Sequence, residues 1–110
     1  MENEAFTDRR IFERIAIKLN FRFLAGELNK EGLGQTQDIS AKGVGVWISE
    51  ELLPDTPLEI WLDIPDKGQP FYTRGRIVWL KKVEPERYRA GINLDKPEFM
   101  GMSRTLRLMR

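Results

Sequence analysis

The most informative absences in this chain are those of cysteine and histidine. Its 110 residues contain neither, so a disulfide, a thiolate metal site and a histidine general base are all impossible. The net charge is only +1 although 32% of the residues are charged, so a strong non-specific pull on nucleic acid is not expected. What remains for function is the chemistry of arginine, carboxylate and hydroxyl groups.

Long apolar segments are also missing. No run approaches the roughly 18 residues that a membrane-spanning helix needs, and the acidic start, Met1–Glu4, lacks the apolar core of a signal peptide. The length fits one domain with a modest core. We therefore expect a single cytoplasmic domain without membrane insertion.

Strands dominate the predicted secondary structure. Apolar residues alternate with polar ones from Ile15 to Phe23, and this period of two is typical of a half-buried strand. Glycines indicate a connection within 25–34, and the charged segment 81–87 with Pro85 is predicted to be a loop. The other predicted strands are one entering a turn at Asp38 and those at 44–48, 58–64, 71–80 and 88–94.

The hydrophobic period changes after Asp95. Pro97 suits a first helical turn, and apolar residues then recur at spacings of three and four, which predicts a helix with one apolar face. Six short strands and one helix indicate a mainly β fold, a six-stranded antiparallel barrel with a C-terminal α-helix. We divide the chain into a flexible arm (1–14), the barrel (15–96) and the helix (97–110).

Two short motifs carry the chemistry. Arg10 and Arg14 stand four apart before the first strand, and their planar forks can pair with phosphate and stack on a purine. Between two later strands stands the segment 38–43, in which Asp38, Ser40 and Gly43 form an Asp-x-Ser-x-x-Gly pattern. A cationic fork and a polar turn together suit a phosphorylated purine, which favours a ligand sensor over a catalyst.

Each of these residues also has a purely structural interpretation. The arginines can be solvated arm charges, and Arg9 beside them can reach a phosphate or remain in solvent. Asp38 and Ser40 can bind guanine and phosphate or simply order their own turn, and Gly43 can supply positive φ or room for a base. A last candidate, Trp79, can stack on a guanine or belong to the rim of the core.

From about Arg9 to Leu94 the chain resembles the PilZ domains that bind cyclic di-GMP. The resemblance is carried by Arg9, Arg10, Arg14, the segment 38–43, the strand 76–79 and the segment 88–94. Leu94 stands where the family often has phenylalanine. The resemblance implies a PilZ-type barrel whose N-terminal arm folds over the bound dinucleotide, with one or two molecules of cyclic di-GMP per chain.

The same resemblance implies a role in bacterial second-messenger signalling. The expected ligand set is Arg9, Arg10, Arg14, Asp38, Ser40, Gly43 and Trp79, with no metal, no other cofactor and no catalytic residue. Ordering of the arm would change the surface offered to a downstream protein partner, which the sequence does not name. DNA or RNA binding is not expected.

Three other functions remain open on the sequence. The first is a PilZ-fold adaptor that binds no nucleotide. The second is a small nucleic-acid-binding barrel that uses tryptophans as stacking platforms, against which the near-neutral charge argues. The third is an enzyme built on Asp38 and Ser40, which lacks a histidine to activate the serine.

Overall fold

The computed structural model describes residues 13–26 and 29–108. The elements in chain order are β1 (Ile15–Ala16), β2 (Asn20–Ala25), β3 (Lys30–Ile39), β4 (Gly43–Ile48), β5 (Pro57–Leu62), β6 (Phe71–Glu84), β7 (Arg87–Leu94) and α1 (Phe99–Leu108). All strand pairings are antiparallel. The prediction of a mainly β protein that ends in one helix is confirmed.

Strands β2 to β7 close into a six-stranded barrel. Neighbours follow the order β3, β2, β5, β6, β7 and β4, and pairing of β4 with β3 completes the ring. Residues that alternate along each strand point inward, as the period of two predicted. The resulting core is formed by aromatic and branched side chains, among them Phe21, Phe23, Val46, Ile60 and Ile77.

A break separates β1 from β2, where the sequence predicted one continuous strand. The side chain of Thr36, which is 1% exposed, bridges this break. Its hydroxyl accepts a hydrogen bond from the Leu19 amide (2.8 Å) and donates one to the Ile17 carbonyl (2.6 Å). Because buried backbone groups need partners, this threonine lets the chain bend while β1 stays paired with the end of β3.

Two predicted connections are shorter than the segments that indicated them. The β2–β3 connection lies within 25–34 as predicted, but half of this glycine-containing segment belongs to β3, where Gly32 and Gly34 leave room for the rings of Phe23 and Phe21 on β2. The charged segment after Leu80 extends β6 to Glu84, and only Pro85 and Glu86 turn. Charged residues are tolerated there because residues 81–87 are exposed.

Helix α1 closes one end of the barrel. Met102 and Thr105 are buried, and Gly101 lies against the Phe71 ring, so a Cβ there would come within 2.7 Å of a ring carbon. Arg104 reaches the β5–β6 loop, where its Nε and Nη2 donate to the two carboxylate oxygens of Asp66 at 2.7 and 2.6 Å. The helix is thus fixed by packing and by an ion pair.

The loop between β5 and β6 changes direction at residues 65–68. Its left-handed residue is Lys67, with φ of 68°, and not Gly68. The Gly68 amide instead donates to Oδ1 of Asp66 (2.9 Å). The two bonds from Arg104, together with this one, hold the pKa of the Asp66 carboxyl well below its usual range.

Candidate ligand-binding site

The inside of the barrel has no room for a nucleotide. The cavity between the barrel and α1 has a volume of about 30 Å³, and its lining is almost entirely apolar. This volume is about the share of one water molecule in the liquid. A ligand of nucleotide size must therefore bind on the outer surface.

The β3–β4 turn is ordered by Ser40. Its buried hydroxyl accepts hydrogen bonds from the amides of Gly43 (3.1 Å) and Lys42 (3.3 Å) and lies 3.2 Å from the Gly43 carbonyl, to which it donates. The Ser40 amide donates to the same carbonyl at 2.8 Å. One donor and two acceptors exhaust what a hydroxyl can offer, so this side chain shapes the turn.

Asp38 and Arg14 meet on the outer face beside this turn. Pairing of Ala16 with Asp38 places Arg14 within reach, and its Nη1 donates to Oδ1 of Asp38 at 2.5 Å. The Gly45 amide donates to the same oxygen at 3.2 Å. The Arg14 side chain is 56% exposed, so its remaining donors can pair with an anion from solution.

Gly43 and Gly45 provide space for this pair. No glycine of the described residues has positive φ, so the proposed left-handed role of Gly43 is wrong. A Cβ at Gly43 would lie 2.9 Å from the Ile92 carbonyl and 3.3 Å from Nη2 of Arg14, and one at Gly45 would lie 2.8 Å from Oδ1 of Asp38. The alternative role predicted for Gly43, close approach, is the one that the backbone supports.

Trp79 lies in the same row of residues as Asp38. Across four adjacent strands, Asp38 on β3 pairs with Gly45 on β4, Gly45 with Gly91 on β7, and Gly91 with Trp79 on β6. Paired residues of antiparallel strands share a face of the sheet. The indole is 44% exposed, so it belongs to the outer surface and not to the core.

Two β-bulges produce this row. The β3–β4 register shifts between Thr36 and Asp38, and the β6–β7 register shifts between Ile77 and Trp79. Strict alternation from buried Thr36 and buried Ile77 would have turned Asp38 and Trp79 inward. A bulge re-aims the side chains that follow it, and here both residues face outward.

The structure thus brings together Arg14, Asp38, Ser40 and Gly43 and adds Trp79 at the far end of the row. Arg9 and Arg10 lie outside the described residues. The sequence analysis missed the roles of Gly45 and Gly91. Their signal was glycine at outward positions of otherwise apolar strands, where a close approach by another group is the usual reason.

Neither a metal site nor a membrane span emerges from the described part of the chain. Within residues 13–26 and 29–108, no cluster of three or more carboxylates could hold a metal ion. No helix in those ranges is long and apolar enough to cross a bilayer.

The family model of the PilZ domain matches residues 8–107. The chain belongs to the PilZ family. The match spans both motifs and the whole barrel, so the resemblance inferred from the sequence is confirmed. A search of curated protein sequences found no match.

Solved structures of PilZ domains share the fold. The PilZ domain of YcgR from Escherichia coli, solved with c-di-GMP, has a TM-score of 0.69 at 13% identity, covering 91% of this chain and 90% of that one. The PilZ domain of CeSA from a cellulose-synthesizing bacterium has a TM-score of 0.65 at 19% identity, with coverages of 87% and 93%.

A third structure is longer than this chain. The Bacillus subtilis inhibitor of motility, MotI/DgrA, has a TM-score of 0.64 at 13% identity over 87% of this chain. The match covers 49% of that protein, so this chain spans about half its length. At these identities the likeness concerns the fold.

Proposed function

We propose that this PilZ domain is a cyclic di-GMP sensor that binds its ligand on the outer face beside the β3–β4 turn. The observation that carries the proposal is the Arg14–Asp38 pair, in which the Arg14 side chain is 56% exposed next to Gly43 and Gly45. Membership in the PilZ family and the ligand of the YcgR PilZ domain support it. The apolar cavity between the barrel and α1, of about 30 Å³, is too small to hold this ligand.

Each group of the site has a part in binding this ligand. Arg14, with Arg9 and Arg10 of the arm, pairs with the phosphates through planar forks and stacks on the purines. Asp38 accepts hydrogen bonds from the N1–H and N2–H₂ groups of guanine. The turn formed by Ser40 and Gly43 fixes the position of Asp38, and Trp79 offers a stacking face.

The output of the sensor is a change of surface. Binding orders the N-terminal arm over the barrel and changes what a downstream protein partner meets, an order–disorder switch of a known kind. One or two cyclic di-GMP molecules occupy the site. The domain performs no catalysis, because no histidine is present to activate Ser40 or a water molecule.

Removal of the Arg14 guanidinium tests the site. We expect Arg14→Ala to weaken cyclic di-GMP binding by about 1.5–3 kcal/mol, the range for hydrogen bonds to charged groups, which is roughly tenfold to more than a hundredfold in Kd. Isothermal titration calorimetry with cyclic di-GMP, GTP and cyclic di-AMP gives affinity, selectivity and stoichiometry together. Arg10→Ala tests the arm in the same way.

The matched control is Arg107→Ala, which removes an exposed guanidinium from α1 and should leave the affinity unchanged. NMR of residues 1–14 with and without ligand tests the ordering of the arm, and rigidity before ligand is added would refute the switch. Absence of binding by the wild-type domain at millimolar ligand would leave the alternative function, an adaptor that binds no nucleotide.

A further inference from the structure

Two glycines bring together groups from strands that are not neighbours. Asp38 on β3 and Trp79 on β6 are separated by β4 and β7, on which Gly45 and Gly91 are paired directly. The carboxylate reaches over Gly45, where a Cβ would lie 2.8 Å from Oδ1. The indole reaches over Gly91, where a Cβ would lie 2.2 Å from Nε1.

The two groups consequently stand side by side on the outer surface. Directly paired positions of an antiparallel sheet have Cβ positions about 4.5–5.5 Å apart, and each of these positions is covered by one of the two groups. A side chain at Gly91 would need the space of the indole, since all of its nearest contacts are atoms of Trp79. The glycine pair therefore sets the relative position of an acceptor and an aromatic ring.

The carboxylate keeps one oxygen for a further donor. Both hydrogen bonds that Asp38 accepts from the described residues, from Arg14 and from the Gly45 amide, end on Oδ1. An ionised carboxylate offers about four lone-pair sites. Oδ2, on the same side of the sheet as Trp79, can accept from a ligand while the Arg14 pair stays intact.

We propose that Gly45 and Gly91 are specificity-determining residues, because they place the Trp79 indole so that a purine stacked on it turns its edge toward Asp38. This inference rests on the proposed binding of cyclic di-GMP. Stacking on an aromatic ring accepts every base. Guanine presents N1–H and N2–H₂ donors on one edge, whereas adenine lacks the N2 amino group, so the carboxylate selects guanine.

A double-mutant cycle at positions 79 and 91 tests the inference by titration calorimetry with cyclic di-GMP. We expect Gly91→Ala to weaken binding about tenfold or more, because the methyl group displaces the indole, and Trp79→Ala to weaken it by a similar factor. In the Trp79→Ala background the methyl group has room, so Gly91→Ala should add nothing. That double variant also guards against misfolding, since it relieves the clash.

Additive effects of the two substitutions, or an unchanged affinity of either single variant, would overturn the inference while leaving the proposed function in place. A wild-type domain that binds no cyclic di-GMP would overturn both. Ligand selectivity gives a separate readout. Asp38→Ala should reduce the preference for cyclic di-GMP over cyclic di-AMP. Trp79→Ala should instead weaken the binding of both ligands. A preference that survives Asp38→Ala contradicts the edge contact.

The position of the Trp79 indole over Gly91 can be tested without ligand. In a Trp47→Phe, Trp61→Phe background Trp79 is the only tryptophan, and acrylamide quenching of the tryptophan emission reports its exposure. Gly91→Ala should increase quenching because the ring is lifted from β7. Unchanged quenching in a folded variant would show that Gly91 does not position Trp79.

Discussion

At the scale of single residues, the Ser40 hydroxyl is a candidate both for ligand binding and for ordering the β3–β4 turn. The sequence allowed it to bind ligand or to order its turn, and the structure commits its hydrogen-bonding capacity to the turn. The donors that it satisfies belong to the two residues that carry the chain into β4. A ligand bond from this hydroxyl therefore requires one of the turn bonds to open.

Removal of this hydroxyl separates the two roles. We expect Ser40→Ala to lower the free energy of unfolding by about 1–3 kcal/mol, because the buried Gly43 amide and the partly buried Lys42 amide lose their acceptor. Urea denaturation measures the change. Ser103→Ala, at an exposed position of α1, is the control and should stay within about 0.5 kcal/mol.

An unchanged stability of Ser40→Ala would contradict the role of this hydroxyl in the β3–β4 turn. If Ser40→Ala keeps the stability of the wild type but loses affinity for cyclic di-GMP, the hydroxyl serves the ligand alone. If Ser40→Ala lowers both the free energy of unfolding and the affinity for cyclic di-GMP, the result fits a turn that positions Asp38.

At the scale of elements, the interrupted strand formed by β1 and β2 decides where Arg14 lies. In the break between the two strands, the Thr36 hydroxyl bonds the Ile17 carbonyl and the Leu19 amide. It holds β1 against the end of β3, where Ala16 pairs with Asp38. A threonine that neither motif contains thus supports the backbone pairing that brings the two motifs together.

Substitution at this position should loosen β1. We expect Thr36→Val, which keeps the branched shape but removes the hydroxyl, to lower the free energy of unfolding by about 1–3 kcal/mol, since the Leu19 amide and the Ile17 carbonyl lose their partner. Native-state hydrogen exchange of the Leu19 amide should accelerate. Thr36→Ser, which keeps the hydroxyl, is the matched control, and equal exchange in both variants would contradict the assignment.

At the scale of the whole molecule, the barrel and helix α1 are joined by the Asp66–Arg104 pair. The bidentate geometry fixes the helix on the loop between β5 and β6, and the Arg104 side chain is 14% exposed. Hydrogen bonds from Arg104 and from the Gly68 amide stabilise the charged carboxylate and lower the pKa of Asp66. Docking of the helix is therefore linked to pH.

The sign of this linkage follows from the lowered pKa. An aspartate whose pKa is depressed in the folded state stabilises the fold above its unfolded pKa, about 3.9, and this contribution is lost as the pH falls further. We expect Asp66→Asn to lower the melting temperature at pH 7, with the difference from wild type shrinking below about pH 4. Thermal denaturation followed by circular dichroism from pH 7 to pH 2.5 measures it.

The control for this experiment is Asp63→Asn. Its carboxylate has no ion-pair partner among residues 13–26 and 29–108, so the substitution should change the melting temperature little at any pH. A difference for Asp66→Asn that stays constant down to the lowest pH would refute the ionic contribution of the pair.

Local sequence patterns were sufficient to predict which residues form the core and which are candidates for ligand binding. Period-two alternation identified the barrel strands, because burial on one face requires it, and two short motifs supplied Arg14, Asp38, Ser40 and Gly43. The family followed from the same residues. Strand ends were less certain, since the exposed end of β6 carries charges that resemble a loop.

The proximity of Asp38 and Trp79, in contrast, depends on the folded barrel. Each faces outward because a bulge shifts the register of its strand, and each reaches across a glycine on a different strand. Bulges and cross-strand pairs depend on which strands are neighbours, and neighbourhood in a closed barrel is set by residues far apart in sequence. Local sequence patterns do not show which strands pair. The side-by-side arrangement of the Asp38 carboxylate and the Trp79 indole could therefore not be predicted from them.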